Sequence, residues 1–189
     1  MGATIKLYAQ DQELYRRATD LYYQGRYEQA LLLLDSAIAL NSDDISRFFY
    51  RSKINEALGS HEEAIADLTM CINKSDNDAT YLNLRALNYE KVGNESLAFR
   101  DYSESIRLRP SWDAHFRRGM LQVKQSQLKK ALEDFNASIR LNTNQAEPLR
   151  ARGYLKHHMG DTEGACEDIL TLLDWGYDDV KDWLRKNCG

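Results

Sequence analysis

An alanine returns along this chain at a fixed interval: Ala30, Ala64, Ala98, Ala131 and Ala165 stand 34, 34, 33 and 34 residues apart. Other columns keep the same register. Asp67, Asp101, Asp134 and Asp168 each follow one of those alanines by three. Arg17, Arg51, Arg85, Arg118 and Arg152 precede the alanines by thirteen, and a small residue follows each arginine: Ala18, Ser52, Ala86, Gly119 and Gly153. Gly25, Gly59, Gly93 and Gly160 fall five before the alanine, with Ser126 in that place in the fourth unit. A period of this length marks a repeat architecture, in which each unit is a supersecondary element that cannot bury its apolar face alone.

Each unit reads as two helices. The first half carries apolar residues at helical spacing, as in Leu14, Ala18, Leu21 and Tyr22. The glycine of Gln24-Gly25-Arg26 or Val92-Gly93-Asn94 then tolerates positive φ and ends that helix. The second half is again amphipathic: Ala98, Tyr102, Ser105, Ile106 and Leu108 share a stripe that stops at Arg109-Pro110, because the residue before proline is pushed out of the helical region. Pro148 sits instead near a helix start, where its missing N–H is harmless. Small residues let antiparallel helices close to about 8–10 Å. Ala18 is therefore expected to meet Ala30, Ser52 to meet Ala64, and Gly153 to meet Ala165. Leu34, Leu68, Tyr102, Phe135 and Ile169 are expected to fill the space towards the next unit.

A 34-residue helix-turn-helix with small residues at its eighth and twentieth places resembles the tetratricopeptide repeat. Stretches such as GRYEQALLLLDSAIALN, GNESLAFRDYSESIRLRP and GDTEGACEDILTLL carry the likeness. It divides the chain into a lead-in (1–10), five units (11–44, 45–78, 79–111, 112–145 and 146–174) and a C-terminal segment (175–189). The fourth-place aromatic survives only as Phe48, the terminal proline only as Pro110, and the fourth unit is one residue short. The implied fold is all-α, a solenoid of five helix pairs in a right-handed superhelix, closed by a capping helix at about Asp178–Lys186. Trp175, Val180, Trp183 and Leu184 of that cap are expected inside, and Asp179, Lys181, Asp182 and Arg185 in water.

The resemblance also implies where a guest would lie, along the concave surface lined by the first helix of each unit. The fifth places there are Tyr15, Phe49, Asn83, Phe116 and Arg150. The ninth places are Thr19, Lys53, Leu87, Met120 and Tyr154, and the twelfth are Tyr22, Glu56, Glu90, Val123 and His157. These fall outside the repeat's own core pattern, yet many are aromatic or apolar, as binding strips are. A peptide or a single helix of a partner protein would suit such a trough. The family's clamp for chaperone C-termini is not expected, since Tyr15 and Thr19 stand in the first unit where lysine and asparagine would be needed, and Thr80 and Leu84 in the third where basic residues would be. The arginine and aspartate columns read as ion pairs between helices rather than as a phosphate-binding row.

Charge and chemistry narrow the remaining classes. The net charge is −4 and the pI about 5.6, which lacks the basic footprint of a nucleic-acid binder. Single-stranded RNA binding by a helical repeat is kept as the alternative, with self-association through the ends of the array as another. No apolar run approaches a membrane span, and MGATIKLYAQDQELYRRA lacks the apolar core of a secretory signal. The cytoplasm is the expected address, with a mature exported form left open. His61, His115, His157 and His158 fall at unrelated places, and no phosphate loop, nucleophile elbow or zinc motif occurs. No catalytic residue, cofactor or metal is therefore assigned. Cys71 shares a small buried place with Ala37, Ser105 and Ser138. Cys166 and Cys188 are brought close if the cap runs back along the last repeat helix, and whether they join as a disulfide stays open.

Overall fold

The computed structural model describes residues 2–75 and 78–189, with side chains from residue 7 onward; residue 1 and residues 76 and 77 lie outside it. Every element among these residues is helical. Five successive pairs run α1 (Gly2–Tyr23) with α2 (Tyr27–Leu40), α3 (Ile45–Ala57) with α4 (His61–Lys74), α5 (Ala79–Lys91) with α6 (Glu95–Leu108), α7 (Trp112–Lys124) with α8 (Leu128–Leu141), and α9 (Ala146–His158) with α10 (Thr162–Asp174). A 3-10 turn at Asp178–Val180 leads into α11 (Lys181–Asn187). The helix α1 takes in most of the expected lead-in. The packing divides into two compact units, one up to Ser105 and one from Ile106 to Gly189.

The turn inside each pair is one motif repeated. Gly25, Gly59, Gly93 and Gly160 have φ of 73°, 79°, 79° and 90°, and Ser126 takes the same left-handed conformation at 59°. The next residue donates its N–H back across the helix end: Arg26 to Leu21 O, Ser60 to Asn55 O, Asn94 to Tyr89 O, Gln127 to Gln122 O and Asp161 to Lys156 O, all at 2.8–2.9 Å. These bonds satisfy carbonyls that the helix leaves open. The starts of α3, α5 and α7 are capped by side chains. Asp44 accepts from Ser46 N at 2.9 Å, Asp78 from Thr80 N at 2.6 Å, and Ser111 from Ala114 N at 3.3 Å.

The seam between paired helices follows a sixteen-residue offset. A Cβ on Gly119 would lie 2.7 Å from Phe135 Cε1, and one on Gly153 would lie 2.9 Å from Ile169 Cδ1. The side chains nearest Gly153 in this seam are Ile169 and Asp168, one helical turn beyond Ala165, while Ala18 and Ala30 share one buried cluster with Leu34. The large residues Phe135 and Ile169 thus pack back onto the small residue of their own unit. Leu34, Leu68, Tyr102, Phe135 and Ile169 are all buried, as are the column alanines.

The same offset organises the charges. Arg51 donates to Asp67 at 2.9 and 2.7 Å, Arg85 to Asp101 at 2.6 and 3.0 Å, Arg118 to Asp134 at 2.8 and 2.8 Å, and Arg152 to Asp168 at 2.9 and 2.6 Å. Arg51, Arg85 and Arg152 also reach sixteen residues backward. Arg51 binds Asp35 at 2.7 Å, Arg85 binds Thr69 at 3.1 Å, and Arg152 binds Asn136 at 2.8 Å. Each of the three therefore ties its helix to the second helix of its own pair and to that of the preceding pair. Arg17 departs from the row: Leu33 stands sixteen residues on, and the arginine is exposed. In its place the first pair has a deeper ion pair. Arg47 and Asp11 are 0% and 1% exposed, with Nε to Oδ1 at 2.7 Å and Nη2 to Oδ2 at 2.5 Å. Arg47 also pairs with Asp44, and its guanidinium lies 5.2 Å from the Tyr15 ring centroid.

The C-terminal segment covers the last pair. Val180 and Leu184 are buried with Ala146, Leu149, Ile169 and Leu172, and Trp183 is packed against that cluster. Asp179, Lys181, Asp182 and Arg185 are exposed, as the helical spacing requires. Trp175 is not inside: it is 41% exposed, because α10 ends at Asp174 and Gly176 (φ 89°) turns the chain away. Cys166 and Cys188 form a disulfide with Cα atoms 5.8 Å apart. Cys71 is buried and free, and burial pushes its thiol up to about 12. Its sulfur lies 3.6 Å from Ile45 O. The hydroxyls of Ser105 and Ser138, in the same column, donate to Ala79 O and Trp112 O at 2.9 and 2.7 Å.

Candidate binding surface

The first helices carry the fifteen expected trough positions, and none of them is buried. Thirteen are half-buried, while Met120 and Tyr154 are exposed at 38% and 40%. The two compact units use them differently.

Up to Ser105 the surface is aromatic and organised around one ammonium. Lys53 Nζ stands 5.0 Å from the Tyr22 ring centroid, 5.6 Å from Phe49 and 5.9 Å from Tyr50. Each such cation–ring contact stabilises by about 0.5–2 kcal/mol, depending on how much water is excluded. The rings brace one another edge to face or at a tilt. Tyr15 and Tyr22 lie 5.7 and 5.8 Å from Tyr50, and Phe49 lies 5.4 Å from Tyr81. Tyr23 and Tyr50 share a hydrogen bond at 3.2 Å. That bond, with burial second, pushes the Tyr50 hydroxyl up to about 12. Thr19, Glu56, Asn83, Leu87 and Glu90 are half-buried, and the Tyr102 hydroxyl donates to Glu90 at 2.5 Å. Tyr23, Tyr50 and Tyr81 were missed by place-counting. They flank the counted places, and the density of tyrosine between Tyr15 and Tyr50 was the available signal.

From Ile106 onward the surface is apolar at one end and engaged at the other. A cleft of about 430 Å³ opens between α7, α8 and α9, lined chiefly by Met120, Val123, Leu128, Phe135, Tyr154 and Leu155. Beside it Arg150 donates to Asp179 at 2.6 Å and lies 5.7 Å from the Tyr177 ring centroid. Tyr154 and His157 meet the Trp183 ring at 5.6 and 5.3 Å. Three of the expected trough residues thus contact the cap segment.

One expectation about these side chains needs correction. Tyr15, Tyr22, Phe116 and Val123 do pack against their own unit's core: the first two on Ala18, Ala30, Leu34 and Ile54, the others on Ala131, Phe135 and Leu155. An aromatic ring at these places is broad enough to rest one side on the core and leave the other accessible. Elsewhere, His115 hydrogen-bonds Asp134 at 2.7 Å and His61 contacts Asn88 at 2.9 Å. Both histidines serve helix packing. Among the described residues no helix is long and apolar enough to cross a membrane.

Known proteins resemble this chain in the same terms. A tetratricopeptide-repeat family model matches residues 15–77. Tetratricopeptide repeat protein 16 of Macaca fascicularis is 24% identical across 89% of this chain, which spans about a quarter (26%) of that protein's length. Among solved structures, residues 41 to the end of MamA from Desulfovibrio magneticus RS-1 superpose with a TM-score of 0.81 at 15% identity, covering 89% of this chain and 97% of that one. YrrB, described as a repeat protein with an unusual peptide-binding site, gives 0.73 at 19% identity, covering 87% and 86%. At such identities the structural likeness speaks for the fold alone. With the alanine, arginine and aspartate columns and the paired helices, the chain has the tetratricopeptide-repeat fold, and its residues 15–77 match that family.

Proposed function

We propose that the chain is a non-enzymatic scaffold that holds a peptide or a helix of another protein against the exposed faces of its first helices. The observation that carries this reading is the Lys53 cluster. A half-buried lysine whose ammonium is ringed by Tyr22, Phe49 and Tyr50 leaves amphipathic surface that the fold does not consume. Aromatic side chains with one wet side are the usual anchors of protein recognition. The Met120–Tyr154 cleft supplies an apolar pocket of the size that accepts a side chain from a guest. That YrrB is described as having a peptide-binding site lends support by fold.

The test is affinity capture with the tagged chain, followed by titration of the captured protein against Phe49→Ala combined with Met120→Ala. Both side chains lie on the surface, whereas Phe116 rests 6.0 Å from Phe135 and is left intact so that folding is preserved. Affinity is expected to fall at least tenfold with helicity by circular dichroism unchanged; equal affinity would sink the reading. A salt titration with single-stranded RNA separates the alternative, which requires binding that weakens steeply as salt rises.

A further inference from the structure

The cap is held in two ways that differ in strength. Its apolar grip consists of Val180, Leu184 and one side of Trp183, and α11 is only seven residues long. Isolated helices shorter than about 12–15 residues are marginal in water, so α11 depends on being kept in place. The other hold is covalent. The disulfide joins Cys166, early in α10, to Cys188, directly after α11, and closes a loop of sequence separation 22 that contains the entire segment.

We propose that the Cys166–Cys188 disulfide is a reversible redox latch, opened by a dithiol reductant, whose release lets the 178–187 segment lift from the α9–α10 pair. Both cysteines are half-buried, neither enclosed as Cys71 is. The third cysteine, Cys71, is fully buried with its thiol pushed up to about 12, so it stays out of the exchange. A thiolate of the reductant attacks one Sγ, the Sγ–Sγ bond breaks, and the other cysteine leaves as a thiolate that takes a proton. The reductant's second thiol then attacks the mixed disulfide, closes its own disulfide and releases the first cysteine. Two electrons and two protons pass from the reductant to the cysteine pair.

Lifting has definite consequences. Trp183 leaves Tyr154 and His157, Asp179 leaves Arg150, and the apolar end formed by Ala146, Leu149, Ile169 and Leu172 is uncovered. The latch rests on the cap's own packing and does not require the binding reading above.

Amide hydrogen exchange of the full chain, air-oxidised against dithiothreitol-treated, tests it. Residues 178–187 are expected to exchange about a hundredfold faster after reduction, in line with losing closure of a loop this long. Protection in α7–α10 is expected to persist, and reoxidation to restore the cap. Cys188→Ser, never reduced, is expected to match the reduced protein. Unchanged exchange at 178–187 in both reduced protein and variant overturns the proposal. So does loss of protection throughout Ile106–Gly189, which would make the bond a staple of the whole unit, and so does an air-oxidised chain carrying three free thiols.

Discussion

Up to Ser105 the small column holds Ala18, Ser52 and Ala86, sixteen residues before Leu34, Leu68 and Tyr102. From Ile106 onward it holds Gly119 and Gly153, before Phe135 and Ile169. The first unit is additionally pinned by the buried Asp11–Arg47 pair, the second by a disulfide. One repeat plan thus tolerates two ways of filling the seam and two ways of securing an outer helix. What is kept is the sixteen-residue offset.

The sharpest way to break the comparison is at the ion pair. Asp11→Ala leaves the buried Arg47 guanidinium without its two-bond partner, and is expected to cost about 3 kcal/mol in a denaturant titration. Replacing both partners, Asp11→Ala with Arg47→Met, is expected to recover most of that loss; no recovery would mean that α1 is held by something other than the charge pair. Next comes the seam. Gly119→Ala sets a methyl 2.7 Å from the Phe135 ring, and about 1–3 kcal/mol of destabilisation is expected. Ala86→Gly in the first unit only loosens a helix and is expected to cost about 0.5–1 kcal/mol. Equal effects at both sites would show that the two units are not packed differently.

The smallest effect is a dependence on pH. Burial pushes the Asp134 carboxyl up, but hydrogen bonds from His115 and Arg118 outweigh it and hold the group below the ordinary carboxylate range. Its folded state therefore binds the proton less readily than the unfolded chain. The stability it contributes is in place at neutral pH and is lost as the pH falls below about 4. Asp134→Asn is expected to flatten the decline in melting temperature between pH 5 and 3, and a decline as steep as in the parent chain would remove Asp134 from the account.

The columns were legible because each answers a local demand repeated from unit to unit. Gly25 and its counterparts follow from a turn that requires positive φ, and Arg51 with Asp67 from two helices that must meet at one level. Ser126 shows the limit, since a serine in the glycine place reads as a defect until its φ of 59° shows the turn intact. The backward partners Asp35, Thr69 and Asn136 were overlooked because they share polarity but not identity. The surface was legible as a set of positions. Which side chains rest on the core, and which meet the cap, was not.

By itself the sequence determined the period, the helix pairs, the turns and the ladder of charges, since all of these depend on residues no further apart than one repeat. Three things were decided only in the folded chain: the burial of Asp11 against Arg47 across thirty-six positions, the gathering of Tyr22, Phe49 and Tyr50 around Lys53, and the closure of Cys166 on Cys188. Each depends on how the faces of successive helices turn toward one another. That angle is set by packing summed over many side chains, and no single column of the repeat records it.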